Sequence, residues 1–172
     1  LITAYDQPAL GAVYKIVAIE DETGKMRNTI KLSSNAEKVS TPGKKQVWRI
    51  TSRAKGKSEG DYITFADTDV NALDEINMFH PTYTYINKTV RDFDAVPLLV
   101  PIYDKGQLIY DLPSLNEIKA YATKELDELW NEYKRVLNPQ DYPVDLAKDI
   151  WQDKMDLIEE MRNKANGEGE AK

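Results

Sequence analysis

The sequence has 172 residues, 41% hydrophobic and 30% charged, and its 23 basic and 29 acidic side chains give a formal net charge of −6. It contains no cysteine, which excludes disulfide scaffolds, cysteine-ligated zinc and thiol nucleophiles, and its acidic balance argues against a general nucleic-acid binder. No run approaches the ~20 apolar residues of a membrane span and no signal peptide is seen, so we expect a cytoplasmic protein that does not cross a membrane.

The first readable elements form a predicted β-hairpin. Ala9–Glu20 is rich in β-branched and other apolar residues, as a strand is. The turn Asp21–Lys25 contains Gly24, which can adopt positive φ, and Met26–Leu32 would return as the second strand. Because the chain begins at Leu1 in the middle of a pattern, without a cap or turn, we expect a segment of a longer polypeptide.

The most distinctive segment is Lys31–Arg49, KLSSNAEKVSTPGKKQVWR, which is basic and rich in hydroxyl groups. Between Lys15 and Lys57 there are eleven basic and four acidic residues, a local net charge of +7. Cations, hydroxyl donors and a glycine that allows close backbone approach are what a phosphate or pyrophosphate needs. The GxxxxGK[ST] spacing of a P-loop is absent. Composition alone favours a solvated connection, since charge runs are usually exposed.

Two further strands are predicted after this loop. Gln46–Arg53 alternates between apolar and polar residues, and Asp61–Ala66 does the same after the turn Lys55–Gly60. Asp67–Asp94 is poorly readable, although Thr82–Ile86 has β-like composition.

The chain then returns to strand-like sequence before its helices. Val96–Tyr103 predicts a strand whose two prolines favour an edge or irregular position. Asp104–Gly106 predicts a turn, and Gln107–Tyr110 a short strand.

Two amphipathic helices are predicted in the last third of the chain. Ser114 and Glu117 form a capping box, and apolar residues then recur at spacings of three and four as far as Leu137, before Asn138-Pro139. A second stripe of this kind consists of Val144, Ala147, Trp151, Met155, Ile158 and Met161.

Other candidate sites are weak. His80 is the only histidine, and without a second histidine or a cysteine a structural role is favoured over a metal site. The acidic residues Asp67, Asp69, Asp74 and Glu75 lack the central glycine and final glutamate of a calcium loop. No activated nucleophile, paired carboxylates or metal cluster is apparent, so the residues themselves assemble no catalytic set.

Four blocks of sequence nevertheless resemble a known family. They are QPALGAVYKIVAIED, IKLSSNAEKVSTPGKKQVWRI, EGDYI and LPSLNEIKAYATKELDELWNEYKRVLNPQDYPVDL, in this order. Together they resemble the C-terminal third of bacterial nicotinate phosphoribosyltransferases, of the type II phosphoribosyltransferase family. The resemblance runs from Leu1 to about Met161, and K-x-S-x-x-x-E-K-x-[ST]-x-P-G-x-K is its sharpest part.

The resemblance implies an α+β fragment. Residues 1–112 would be a β-rich segment that completes an irregular α/β barrel and supplies strands of a second domain. Residues 113–164 would be a C-terminal helical hairpin that extends the fold. Separately from the resemblance, the polar composition of residues 165–172 predicts a disordered tail. The catalytic groups of the family lie mostly on earlier chain, so we expect this segment to be inactive alone and its site to include no catalytic residue.

The resemblance also implies an activity and its partners. The full enzyme would form nicotinate mononucleotide and pyrophosphate from nicotinate and phosphoribosyl pyrophosphate, with ATP hydrolysis, Mg²⁺ as cofactor and a homodimeric assembly. It would bind no nucleic acid or membrane. The residues of this segment expected to contact substrate phosphate are Lys31, Lys38, Thr41, Gly43 and Lys45.

Two alternatives remain open. One is a noncatalytic interaction or oligomerisation module that uses the helical hairpin, which would leave an apolar stripe exposed on Leu115–Leu137 or Val144–Met161. The other is a stand-alone binder of anions or nucleotides that uses the basic loop.

Overall fold

The structure is a computed structural model that describes residues 13–35, 38–83 and 85–167. Within these residues the chain forms short hairpins, one larger sheet and two α-helices. The strands are β1 (Ala18–Glu20), β2 (Met26–Asn28), β3 (Lys45–Ser52), β4 (Lys57–Phe65), β5 (Glu75–Phe79), β6 (Asn87–Arg91), β7 (Phe93–Pro97), β8 (Tyr103–Asp104), β9 (Gln107–Leu108) and β10 (Val144–Leu146). The helices are α1 (Leu115–Glu128) and α2 (Lys148–Gly167).

The predicted first hairpin is confirmed, with shorter strands. β1 and β2 are antiparallel, and Gly24 lies in the turn with φ +83°. The Asp21 carboxylate accepts hydrogen bonds from the backbone N–H groups of Thr23 and Lys25, at 2.9 and 3.0 Å. The beginning of the predicted strand Ala9–Glu20 lies outside the described residues.

The main sheet has six strands in the order β6-β5-β10-β4-β3-β7. β3 and β4 form a long antiparallel pair with an irregularity after Ile50, which confirms the two strands predicted there. β4 begins at Lys57, inside the predicted turn Lys55–Gly60. Between β4 and β5 lies β10, which is parallel to β4 and antiparallel to β5.

The sheet curls so that its two edges approach each other. β6 and β7 are the edge strands, yet only Asp92 separates them in sequence, and this residue takes φ +52°. The inner face therefore encloses an apolar core. Its buried residues are Trp48, Ile50, Tyr62, Val70, Ile76, Met78, Val90, Phe93, Ala95 and Ala147.

The described residues of the segment Thr82–Ile86 are not in a strand, contrary to the prediction from its composition. His80 Nδ1 accepts hydrogen bonds from the backbone N–H groups of Thr82 and Tyr83, at 3.1 and 2.9 Å, and these bonds turn the chain after Pro81. The structural role predicted for His80 is consistent with these bonds. Among the described residues of this segment the chain is a loop between β5 and β6.

The prediction of a strand over Val96–Tyr103 was only partly correct. β7 ends at Pro97 and occupies an edge of the sheet, as its proline suggested. The chain then runs without regular structure to β8, which forms the predicted tight hairpin with β9 around Gly106.

The capping box at the start of α1 is confirmed, because Ser114 and Glu117 bond each other's backbone N–H groups. The helix ends at Glu128, however, and the predicted continuation to Leu137 was wrong. Leu129 has ψ +145°, and the following turns bring Tyr133 edge-on to Tyr142 at 5.4 Å between ring centroids. Tertiary packing therefore overrides a helical pattern that continues in the sequence.

The second helix begins later than its apolar stripe predicts, because Val144 belongs to β10. α2 packs beside β4 and β5, where Ile150 is fully buried and Trp151 stacks on Phe79 at 6.5 Å. A β-rich first part followed by two helices is thus confirmed, with a strand of the main sheet between the helices. Neither helix in the described residues is long and apolar enough to span a membrane.

Candidate functional site

The basic loop between β2 and β3 is closed at its base by Lys31 and Ser40. The backbone N–H of Lys31 donates to Ser40 Oγ at 2.8 Å, and the N–H of Ser40 donates to the Lys31 carbonyl at 3.2 Å. Ser40 is buried, so this hydroxyl fixes the shape of the loop.

Lys45 holds the second half of the loop together. Its half-buried ammonium donates to the carbonyls of Thr41, Pro42 and Gly43, at 2.8, 3.1 and 2.5 Å. Burial lowers the pKa of this amine. Since an ammonium has three N–H bonds, the loop carbonyls occupy all of its donors.

Gly43 occupies a position that only glycine fits. Its φ of +82° is in the left-handed region, and a Cβ built there would lie 2.5 Å from Phe65 Cε1. Its N–H donates to the Val17 carbonyl at 2.8 Å, which ties the loop to the first hairpin. Thr41 is half-buried, and its carbonyl is one of those that bind Lys45.

Lys31 and Lys38 differ from these residues because their side chains are exposed. The Lys38 carbonyl accepts a hydrogen bond from Lys15 Nζ at 2.7 Å, which fixes the backbone below its side chain. The five predicted residues therefore lie in one loop but divide into two kinds. Thr41, Gly43 and Lys45 shape the loop, whereas the side chains of Lys31 and Lys38 are exposed to solvent.

Arg49, at the end of the loop sequence, lies in a polar network on the outer face of the sheet. Its guanidinium binds both carboxylate oxygens of Asp61, at 3.0 and 3.2 Å, and also binds Glu125 of α1. These hydrogen bonds raise its pKa. The Tyr142 hydroxyl donates to Asp61 at 2.9 Å and lies 2.6 Å from Ser58 Oγ, and burial raises the pKa of Tyr142 to about 12. Arg49 thus links α1 to the sheet.

Asp69, one of the acidic residues between β4 and β5, has a local structural role. Asp69 caps a short 3-10 turn by accepting the N–H of Asn71 at 3.0 Å. In the part of the chain that the structure describes, no three His, Cys, Asp or Glu side chains come together to hold a metal ion.

Two cavities adjoin the basic loop. One, of about 510 Å³, lies beside Lys44, Asn28 and Asp67. The other, of about 430 Å³, lies between Ser33 and Ser34 of the loop and α2, where Lys154 and Arg162 line it. The sequence interpretation missed both α2 cations. The available signal was the lysine at position 154, which lies four residues after buried Ile150 in an otherwise apolar stripe.

Comparison with known proteins identifies the family. Residues 44–154 match the nicotinate phosphoribosyltransferase C-terminal domain. The chain belongs to this family. The family named by the sequence resemblance is therefore confirmed.

Individual relatives agree with this family assignment. Nicotinate phosphoribosyltransferase from Bacillus subtilis is 51% identical over 168 residues, which is 98% of this chain and 34% of that protein. The Homo sapiens protein of the same name is 33% identical over 148 residues, 86% of this chain and 26% of that protein. The chain thus spans about a third or less of these relatives, and corresponds to the C-terminal part of the B. subtilis protein.

The fold also has a solved counterpart in the nicotinate phosphoribosyltransferase family. The crystal structure of human nicotinic acid phosphoribosyltransferase aligns with a TM-score of 0.63 at 28% sequence identity. The alignment covers 69% of this chain and 24% of that protein.

Proposed function

We propose that the full-length protein containing this chain joins nicotinate to phosphoribosyl pyrophosphate. The products are nicotinate mononucleotide and pyrophosphate, the reaction is coupled to ATP hydrolysis, and it serves NAD salvage in the cytoplasm. The observation that carries the proposal is the 51% identity to a nicotinate phosphoribosyltransferase over 98% of the chain. A homodimer completes the proposal, in keeping with the assembly expected of the family.

The chemistry would be displacement at the anomeric carbon of the ribose, with pyrophosphate as the leaving group. Cations and backbone donors beside the pyrophosphate would stabilise its developing charge. Lys31 and Lys38 have the exposed positive ends for this contact, and Thr41, Gly43 and Lys45 would keep the loop in shape. The described residues offer no cluster of metal ligands, so they do not themselves fit the Mg²⁺ expected of the full enzyme.

This segment needs the rest of its polypeptide to act. Residues 98–140 are all described, and none of them is buried. Apolar side chains on α1 and before it are exposed, among them Leu99, Ile109, Leu115, Ile118 and Leu126. Because relatives of this chain are about three times as long, we propose that earlier chain or the second subunit covers this surface. An interaction module would expose the same stripe, so its exposure alone does not favour that alternative.

The decisive experiment is an activity assay of the full-length protein. With phosphoribosyl pyrophosphate, ATP and Mg²⁺ present, nicotinate should be converted to nicotinate mononucleotide, and nicotinamide, as control substrate, should not react comparably. The segment 1–172 should be inactive under the same conditions. Absence of product from the full-length protein would refute the proposed activity.

The loop has its own test in the same enzyme. Lys38→Ala should raise the KM for phosphoribosyl pyrophosphate or ATP about tenfold or more, because one charge-assisted phosphate contact is worth about 1.5–3 kcal/mol. Lys25→Ala, an exposed lysine in the β1–β2 turn, is the matched control and should leave both KM values unchanged. Kinetics of Lys31→Ala and Lys38→Ala that match the control would remove these residues from the substrate site.

A further inference from the structure

Helix α2 carries a lysine that is buried without a counterion. Lys154 is only 8% exposed, and among the described residues its ammonium forms no hydrogen bond or ion pair. Burial lowers the pKa of this amine, with no carboxylate acting against that effect. A cation held in this way disfavours folding unless it meets an anion, so its presence calls for a ligand.

The ammonium is not sealed inside the protein. Every fully buried side-chain nitrogen in the described residues has a hydrogen-bond partner, so Lys154 Nζ, which has none, must keep some open surface. Lys154 lines the cavity of about 430 Å³ between α2 and the basic loop, which lies within the size range of small-molecule sites. Lys154 thus combines a nitrogen that keeps open surface with a position in the wall of this cavity.

The cavity has the donors of an anion site, and none of the described residues that line it is acidic. Arg162 supplies a second cation, and among the described residues it too has no partner. Ser33, Ser34 and Thr82 contribute hydroxyl groups to the lining. The nearest helical carboxylate in sequence, Asp153, instead accepts a hydrogen bond from Asn28 at 2.9 Å.

We propose that this cavity binds the phosphate group of a small organic phosphate that has an apolar or aromatic body. A phosphomonoester carries about −1.5 to −2 charges at pH 7 and three acceptor oxygens, which match two cations and several hydroxyls better than a carboxylate does. The remaining walls are apolar, including Leu32, Val39, Met155 and Ile158, and would accommodate the body of the ligand. The site shares none of Lys31, Lys38, Thr41, Gly43 and Lys45, so it is additional to the proposed substrate contacts.

The test uses the full-length protein and phenyl phosphate as the probe, with binding measured by calorimetry. Lys154→Met should weaken binding about tenfold or more, since it removes the buried charge but preserves side-chain volume. Arg162→Gln, at an exposed position that should not affect folding, should weaken it several-fold. The control Lys148→Met replaces an exposed lysine on the same helix, and this variant should bind phenyl phosphate as tightly as the unaltered protein.

Parallel measurements separate this site from the proposed enzyme site. Lys154→Met should leave the KM values for nicotinate and phosphoribosyl pyrophosphate unchanged, and it should raise the thermal midpoint of the ligand-free protein. Two binding results would overturn the proposal: a phenyl phosphate affinity that neither Lys154→Met nor Arg162→Gln changes, or tighter binding of benzoate than of phenyl phosphate. Two results with Lys154→Met would also overturn it. One is loss of probe binding together with a raised KM for phosphoribosyl pyrophosphate, and the other is a lowered thermal midpoint, which would reveal a carboxylate partner elsewhere in the protein. Failure of the enzyme assay would leave the binding result interpretable by itself.

Discussion

The curled sheet and the segment 98–140 have similar apolar content but opposite packing. In the sheet, Ile50 and Met78 are completely buried, whereas Leu112 and Val136 in the segment are 77% and 97% exposed. The sheet therefore has its own core, whereas the apolar surface of the segment is exposed in this chain. An apolar pattern in sequence indicates that a surface will be covered, but not which part of the protein covers it.

The largest expected effect compares two isoleucines. In the 172-residue chain, Ile50→Ala should lower the free energy of unfolding by about 2–5 kcal/mol, because it leaves a cavity in the core. Ile118→Ala, at a half-exposed position on α1, should change the free energy of unfolding by less than about 0.5 kcal/mol. Denaturant unfolding measures both.

The full-length protein sharpens the same comparison. If earlier chain or a second subunit covers α1, Ile118→Ala should there cost about 1 kcal/mol or more, since buried methylene groups are lost. An equally small effect in both lengths of chain would show that the helix stays uncovered.

The next effect compares two glycines, Gly43 and Gly106, with nearly identical φ angles. Gly43→Ala should cost about 2 kcal/mol or more, because the left-handed conformation is strained and the new methyl group meets the Phe65 ring. Gly106→Ala, at φ +81° in the β8–β9 turn, has no atom within 4 Å and should cost only about 1 kcal/mol from backbone strain. Thermal unfolding of the two variants should rank them in this order, and a larger loss at Gly106 would contradict the packing difference.

The smallest effect concerns the start of α1. Ser114→Ala should reduce the stability of this helix by about 1 kcal/mol through loss of the cap. Hydrogen bonds from Ser114 lower the pKa of Glu117, so the capping box is complete above the ordinary glutamate pKa and is lost as pH falls through the lowered value. Amide hydrogen exchange should show α1 protection decreasing in acid while β3 and β4 stay protected. Equal loss in both regions would indicate that they unfold as one unit.

Local chemistry was enough to predict several elements. The signals that act over a few residues are Gly24 in a turn, the alternation along β3 and β4, the proline of edge strand β7 and the Ser114–Glu117 capping box. The confirmed elements therefore lie where local and tertiary preferences agree.

The missed elements depend on distant partners. Val144–Leu146 is too short to predict as a strand, and its residues also fit the helical stripe that follows, so its place between β4 and β5 could not be read from spacing. The end of α1 was missed because Leu129, Tyr133 and Leu137 continue the helical period. In the structure the chain instead turns after Leu129, and Tyr133 packs edge-on against Tyr142.

The candidate site likewise has features that the sequence could predict and features that it could not. The sequence identified the basic loop, and its charges and glycine are where that pattern placed them. It could not reveal that the ammonium of Lys45 would be bound by three loop carbonyls, nor that Lys154 of a distant helix would line a cavity beside Ser33 and Ser34. The first depends on the local shape of the loop and the second on the packing of segments far apart in sequence, and a linear pattern contains neither.

The position of β10 has a consequence for protein synthesis. When the ribosome has produced everything up to Pro97, β4 and β5 have both been made, but the strand that separates them is still some 45 residues away. Until Val144–Leu146 emerges, two facing strand edges have no partner and are open to pairing with other chains. A premature stop codon between these points would remove between 29 and 75 of the 172 residues and would leave a gap in the middle of the sheet.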